Sequence, residues 1–247
     1  MKALVFAAGL GTRLKPLTDS IPKALIPVNG TPLLKYVVLK LIAAGVSEII
    51  INIHHKREQI INFVQAENQF GIRVEFSDET GQLLDTGGGL KFASWFFDEP
   101  SPFFVHNVDI LSNVNLGDFY RFHQQSGALA SLFVSKRQSE RYLLFDGDNH
   151  LKAWINETSG EIKPFPVEGL LLRKFAFNGV HVVSPQLFQC MNTWEGKFSV
   201  IDFYLSVAQQ YRIAAYCPQD IETVDVGKRD SLEVANQFAI NFYKDIL

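Results

Sequence analysis

The run Ala3-Leu4-Val5-Phe6-Ala7-Ala8, followed at once by Gly9-Leu10-Gly11-Thr12, constrains the fold more than any other stretch of the chain. Six apolar residues without alternation imply a strand covered on both faces, the condition of a strand inside a parallel sheet. The glycines after it imply a tight turn. Parallel neighbours need a crossover, and the next segment supplies one. Leu33, Leu34, Val37, Val38, Leu41 and Ile42 recur at helical spacing up to Gly45, with Thr31 as the expected N-cap and Pro32 at the first helical position. Residues 48–53 then read as a second strand, 57–69 as a second helix and 72–76 as a third strand. The alternation predicts an α/β class, a three-layer α/β/α arrangement around a mostly parallel, mixed central sheet.

A helix over 89–97 leads to the apolar strand 102–106, which stops at Asn107-Val108-Asp109. Asp109 and the 9–12 turn therefore both fall at carboxyl ends of strands, the edge at which open α/β sheets bind ligands. From Ala128 the pattern shifts to short strands at 129–134, 142–145 and 152–155 and a longer one at 175–183. Ser184-Pro185 opens a short helix and 201–210 forms another. Residues 212–217 and 222–226 read as strands, and 230–246 as a closing helix with Leu232, Ala235, Phe238, Ala239 and Phe242 inward. No repeat or long linker divides the 247 residues, so the expectation is one domain over 1–247, in parts 1–127, 128–228 and a closing helix 229–247.

The net charge of −3 gives no general attraction for nucleic acid or an anionic membrane, so any phosphate binding must come from a few local residues. Cys190 and Cys217 stand alone, without CxxC or a histidine cluster at ligand spacing, and His54-His55 lack a third ligand. Neither a disulfide framework nor a zinc site is indicated, which suits a reducing cytoplasm. The N-terminal apolar run is too short for a signal peptide or a membrane span, so neither export nor insertion is expected.

The segment that carries chemistry runs from Ala7 to Thr18 and on through Ile21-Pro22-Lys23-Ala24-Leu25-Ile26-Pro27-Val28. Glycines after a buried strand let backbone N–H groups approach phosphate oxygens, and Arg13 and Lys23 supply charge for a triphosphate. Neither GxxxxGK[ST] nor GxGxxG is present, and a glycine pair alone reads equally as a tight turn. As a unit, however, the segment closely resembles the signature of the sugar-phosphate nucleotidylyltransferases, GxGTRLxPxT followed by PKxLxPV, and matches it at every specified position from Gly9 to Val28. The resemblance implies a Rossmann-like nucleotidyltransferase fold. It also implies a triphosphate wrapped by Ala8, Gly9, Gly11 and Thr12, with Arg13 on the departing pyrophosphate and Lys23 near the reacting centre.

Further segments extend the resemblance over nearly the whole chain. Asp85-Thr86-Gly87-Gly88-Gly89 is similar to the family's ETGGG-like element, which implies base contact at Gly87 and Gly88. Asn107-Val108-Asp109 looks like the family's Asn-Gly-Asp with valine in place of the glycine, and Thr223-Val224-Asp225-Val226-Gly227 looks like its second metal motif. Together they imply Mg²⁺ held by Asp109 and Asp225, since two carboxylates suit a hard cation that also takes phosphate oxygens and water. Phe177-Asn178-Gly179-Val180-His181 resembles the family's sugar-binding segment, implying sugar contact at Asn178 and Gly179, with Glu168 and Arg173-Lys174 just upstream. The parts 1–127 and 128–228 then become the nucleotide-binding and sugar-binding parts.

The implied reaction is Mg²⁺-assisted transfer of a nucleoside monophosphate from a nucleoside triphosphate to a sugar 1-phosphate, with Arg13, Lys23 and Asp109 as the catalytic set. The short length and the 177–181 segment resemble N-acetylmuramate 1-phosphate uridylyltransferases and mannose- or heptose-1-phosphate guanylyltransferases, and the chain ends about where the family's transferase domain ends, so no β-helix acyltransferase domain is expected. The same signature also fits a cytidylyltransferase for choline phosphate or a similar alcohol phosphate. A non-catalytic nucleotide-sugar sensor is the reading from another class, and retention of Arg13, Lys23, Asp109 and Asp225 argues against it. A glycosyltransferase would not need the Arg13 and Lys23 pair.

Overall fold

In the computed structural model, which describes residues 1–164, 171–227 and 230–244, the apolar run at the N-terminus forms β1 (Lys2–Phe6). After it come α1 (Leu17–Ser20), the short pair β2 (Pro27–Val28) and β3 (Thr31–Pro32), then α2 (Leu33–Ala43), β4 (Glu48–Ile53), α3 (Arg57–Ala66) and β5 (Arg73–Asp78). The first half closes with α4 (Asp85–Phe92), β6 (Phe103–Asn107), β7 (Ile110–Ser112) and α5 (Leu116–Ser126). The second half holds β8 (Ala130–Ser135), β9 (Arg141–Phe145), β10 (Leu151–Asn156), β11 (Ile162–Lys163) and β12 (Arg173–Val183). It continues through α6 (Leu187–Cys190), α7 (Val200–Val207), β13 (Ile213–Tyr216), β14 (Thr223–Asp225) and α8 (Ser231–Phe242).

A ten-stranded sheet runs in the order β11-β10-β9-β12-β6-β1-β4-β5, with β8 paired to β12 and β13 to β8. β1 lies parallel to both β4 and β6, and β4 parallel to β5, as helical crossovers require. β12 runs antiparallel to β6, β8 and β9, so the sheet is mixed. Alternation along β1 separates two cores: Leu4 joins Ile50, Val105, Leu90 of α4 and Phe203 of α7, whereas Ala3 and Val5 join Val37 of α2, Ile60 of α3 and Phe119 of α5. Helices thus cover both faces, which is the three-layer arrangement implied by the alternation. Among the described residues, no helix is long and apolar enough to cross a membrane.

The sequence reading did not anticipate α1, β7, α5 or β11, and two of the expected elements take another form. Thr31 and Pro32 pair with Val28 and Pro27 as a strand, and the helix begins only at Leu33. The pairing folds the signature segment back under α2, where Tyr36 donates from its hydroxyl to the Val28 carbonyl at 3.0 Å. Asp85 to Gly89 form the first part of α4 and not a turn ahead of a helix starting at Gly89. Three helical glycines cost about 1 kcal/mol each relative to alanine. Packing offsets that cost, because a Cβ at Gly87 would run into the Phe198 ring, one at Gly88 into the Gly196 carbonyl, and one at Gly89 would lie 2.5 Å from Glu79 Oε1.

A third core lies beside the sheet, where β7 and β14 pair as a separate ribbon under Ala235, Phe238 and Ala239 of α8. Lys40 of α2 ties this ribbon to the main body. Its ammonium donates to the Ser112 carbonyl and lies 5.5 Å from the centre of the Tyr243 ring, and Tyr243 donates to the same carbonyl at 3.2 Å. Burial, without a carboxylate partner among the described residues, pushes Lys40 down to about 7. Below pH 7 both folded and unfolded chains hold this proton, and the fold carries the cost of a buried ammonium. Above it, the folded chain sheds the proton while the unfolded chain keeps it to about pH 10, so the cost fades as pH rises. Between pH 7 and pH 9, urea denaturation is expected to show wild type gaining about 2 kcal/mol relative to Lys40→Met. Parallel pH dependence in the two proteins would show that Lys40 does not titrate in this window.

Candidate active site

Three parallel strands end at the same level and together open a cleft of about 320 Å³. In the sheet register Phe6 stands opposite Asn52 on one side and Asn107 on the other, so the chain leaves β1, β4 and β6 along one line. Ala8 and Gly9 beyond β1, and Val108 and Asp109 beyond β6, become lining residues, and Lys23 reaches in from the signature segment. Val108, in the place of the family's glycine, keeps the path regular: its N–H donates to the Phe6 carbonyl at 3.1 Å.

Gly9 and Gly11 serve different ends. A Cβ on Gly9 would meet nothing within 4 Å, so Gly9 borders open cleft. Gly11 has φ +65°, and a Cβ there would lie 2.7 Å from Thr18 Cγ2 and 3.1 Å from Lys23 Cβ. Thr18 donates from its hydroxyl to the Gly11 carbonyl at 2.9 Å, which fixes the turn against the segment carrying Lys23. Thr12 and Arg13 stand exposed in the 3₁₀ turn that follows.

The two carboxylates assigned to a metal come together through backbone pairing. Asp225 at the end of β14 stands opposite Ile110 at the start of β7, and the Val226 N–H donates to the Asp109 carbonyl at 2.8 Å. Gly227 keeps room beside them: a Cβ there would lie 2.6 Å from Asp225 Oδ1 and 2.8 Å from Arg13 Nη2, so Arg13 and Asp225 are neighbours. Lys23 is ion-paired with Asp109, and their side chains are only 12% and 18% exposed. No cluster of three or more His, Cys, Asp or Glu fit for a metal occurs among the described residues. A two-carboxylate set fits Mg²⁺, which keeps several waters and fills its remaining positions with phosphate oxygens.

Asn52 and Glu79 are functional candidates that sequence reading missed. Asn52 Oδ1 accepts the Ala7 and Ala8 N–H groups at 2.6 and 3.2 Å, and its Nδ2 donates to Glu79 Oε1 at 2.8 Å. Glu79 Oε2 accepts the Leu84 N–H at 2.9 Å, so this buried pair braces the turn after β1 against the loop leading to α4. The signal was present, since Asn52 is the one polar residue in the run Ile49-Ile50-Ile51-Asn52-Ile53. Of the Asp85–Gly89 segment, Asp85 and Thr86 line the cleft, whereas Gly87 and Gly88 donate their N–H groups to the Phe198 carbonyl at 2.9 and 3.3 Å.

Asn178 and Gly179 lie in an irregularity of β12, where the register to β8 shifts between Phe177 and His181. Asn178 is buried, and its Oδ1 accepts from Arg137 Nε at 2.9 Å and from Ser135 Oγ at 3.2 Å. Arg137, also missed from the sequence, further donates to the Phe177 carbonyl at 2.9 Å; burial lowers its affinity for a proton and Asp225 opposes that effect. Glu168 lies outside the described residues. A second cavity, of about 580 Å³, shares Asp85 with the first and is lined by Tyr142, Trp154, Lys163 and Asp202 among others. Lys163 sits 3.3 Å from Glu161, 3.5 Å from Asp202 and 5.4 Å from the centre of the Trp154 ring.

The nucleotidyl transferase family matches this chain over residues 2–241. The mannose-1-phosphate guanyltransferase of Gibberella zeae is 38% identical over 138 residues, 55% of this chain and 38% of that protein. The chain thus spans well under half the length of that relative. The N-acetylmuramate alpha-1-phosphate uridylyltransferase of Caulobacter vibrioides is 29% identical over 234 residues, 89% of each chain. A putative glucose-1-phosphate thymidylyltransferase from Bacillus anthracis superposes with a TM-score of 0.82 at 17% identity, over 97% of this chain and 95% of that one. At that identity the likeness is one of fold.

Gly179 gives this geometry a direct test. Its φ is +66°, and a Cβ would lie 2.8 Å from both Asn107 Nδ2 and Ile110 Cγ1. Left-handed strain and overpacking act together, so Gly179→Ala is expected to lower the unfolding free energy by about 2 kcal/mol, measured by urea denaturation. A stability equal to wild type would mean that β12 does not press on Asn107 there.

Proposed function

Because the chain belongs to the nucleotidyl transferase family, we propose that it transfers a nucleoside monophosphate from a nucleoside triphosphate to a sugar 1-phosphate and releases pyrophosphate. The observation that carries this reading is the Lys23–Asp109 pair in a cleft framed by the signature turn, with Asp225 and its neighbour Arg13 brought alongside by the pairing of Val226 to Asp109. The relatives named for mannose 1-phosphate and N-acetylmuramate 1-phosphate support a hexose 1-phosphate as acceptor.

In this proposal the turn at Ala8, Gly9, Gly11 and Thr12 takes the triphosphate. Open space at Gly9 lets the backbone approach the phosphates without a side chain between them. Arg13 holds the β- and γ-phosphates, and Lys23 turns from Asp109 to the α-phosphate. A phosphate oxygen of the sugar 1-phosphate attacks the α-phosphorus, and the bond to the bridging oxygen of pyrophosphate breaks. The nucleophile is already anionic, so no general base or covalent intermediate is needed; the protein aligns two anions and neutralises charge as it develops. Mg²⁺ held by Asp109 and Asp225 supplies further neutralisation at the α-phosphate. Asn178, Gly179 and the cavity lined by Tyr142, Trp154 and Lys163 form the sugar side, and Asp85, Thr86 and the braced wall behind them form the base side. Gly87 and Gly88 serve the base side by letting α4 pack closely. The whole is read as one domain, with the nucleotide taken by residues 1–127 and the sugar by 128–228.

A matrix of the four common triphosphates against mannose 1-phosphate, N-acetylmuramate 1-phosphate and choline phosphate, read by pyrophosphate release, tests the reading. Turnover with a sugar phosphate is the expected outcome, and turnover with choline phosphate alone would replace it. With the productive pair, Asp109→Asn and Asp225→Asn are each expected to lower turnover at least a hundredfold in a folded protein, since each removes charge from the metal site. Arg13→Ala is expected to lower kcat more than it raises the KM for the sugar phosphate, because its partner is the leaving group. An effect confined to that KM would move Arg13 to the acceptor side.

A further inference from the structure

The pairing of Lys23 with Asp109 bears on the order in which ligands bind. It is set by the fold: Gly11 packs against Lys23 Cβ, and Asp109 is fixed by its carbonyl accepting from Val226. Oδ2, one of the two oxygens by which Asp109 would hold a cation, is therefore taken by the chain's own ammonium group. Asp225 is likewise faced by positive charge, with Arg13 beside it and Arg137 within its electrostatic reach. Around the two carboxylates the described residues thus place three cations, Lys23, Arg13 and Arg137. In the immediate surroundings of these two carboxylates cations outnumber anions by one, which favours an incoming polyanion over a divalent cation there.

Resting on the functional reading above, we propose that Lys23 excludes the divalent cation from Asp109 in the free protein. The carboxylate becomes available only when a triphosphate draws Lys23 away. Triphosphate enters first, its negative charge reverses the local balance, and the cation follows or arrives bound to it. An ammonium and a divalent cation cannot share one carboxylate oxygen at contact distance, so a cation that takes Asp109 Oδ2 without nucleotide must displace Lys23. The signature lysine then acts twice, first in withholding the metal ligand and later on the α-phosphate.

The test uses Mn²⁺ alone, titrated into nucleotide-free protein and followed by the electron paramagnetic resonance signal of unbound Mn²⁺. Wild type, Lys23→Met, Asp109→Asn and the double variant are compared, with circular dichroism to confirm folding. Lys23→Met is expected to bind Mn²⁺ at least fivefold more tightly than wild type, and the double variant to lose that gain. Equal or weaker binding by Lys23→Met, or no binding by either, would overturn the proposal even with Asp109→Asn weaker than wild type. A gain that persists in the double variant would instead mean that the cation does not sit on Asp109, and the metal assignment itself would fall.

Discussion

The parallel pairing of β1 between β4 and β6 is the constraint from which the site follows. Because Phe6 stands opposite both Asn52 and Asn107, β1 and β6 lose their pairing along one line, and β4 runs only one residue further beside β5. The loops beyond must diverge, and the divergence is the cleft. Fully buried Leu4, Val5, Ile50, Ile51, Phe104 and Val105 hold the register, since a shift of one residue would exchange side chains between two closely packed cores. Asn52 resolves the one polar demand left at that line by accepting two N–H groups of the turn after β1. A buried side-chain oxygen with its own partner in Glu79 thereby fixes the start of the turn.

Charge is distributed in a way that the overall balance hides. The whole chain is slightly acidic, yet its signature segment and β12 bring Lys23, Arg13 and Arg137 around Asp109 and Asp225. Two of these cations are restrained by neutral partners as well as by charge, Arg137 by Asn178 and the Phe177 carbonyl and Lys23 by the glycine turn, whereas Arg13 stands exposed. The two restrained cations have little conformational entropy left to lose when an anion binds. His106, one strand residue before Asn107, adds no charge, because burial pushes it down to about 4. Its Nδ1 lies 2.8 Å from the Asn107 carbonyl, which only accepts, so Nδ1 carries the proton and the ring stays neutral next to the carboxylate pair.

The front of the fold was legible because its signals are local. An unbroken apolar run, a glycine turn and helical periodicity each determine their own element, and the alternation leaves few topologies. The carboxylates of Asp109 and Asp225 were legible as strand-end residues, though their proximity depends on the β7–β14 ribbon, a non-local pairing that runs from Ser112 and Thr223 at one end to Ile110 and Asp225 at the other. Elements whose form depends on contact were misread. Thr31-Pro32 carries an N-cap pattern, but backbone pairing with Val28 and Pro27 takes that stretch. Asp85 to Gly89 looks like a turn because three glycines disfavour a helix, and only the proximity of Phe198 and Gly196 shows why a helix with side chains could not fit. Arg137 gave no local signal, since its role comes from β12 lying beside it.

The glycines of this chain separate two meanings that one letter carries. Gly9 is small because the space in front of it is open to a ligand. Gly11, Gly179 and Gly227 are small because the protein itself fills the space, with Lys23, Asn107 and Arg13 as the respective neighbours. A motif match treats both kinds alike, yet they fail differently: a side chain at the first would fill open cleft, and one at the second would displace a neighbouring side chain. Gly11, Gly179 and Gly227 thus leave room for Lys23, Asn107 and Arg13 respectively. The tight sequence signature is therefore as much a record of how the charged groups are held as of what they touch.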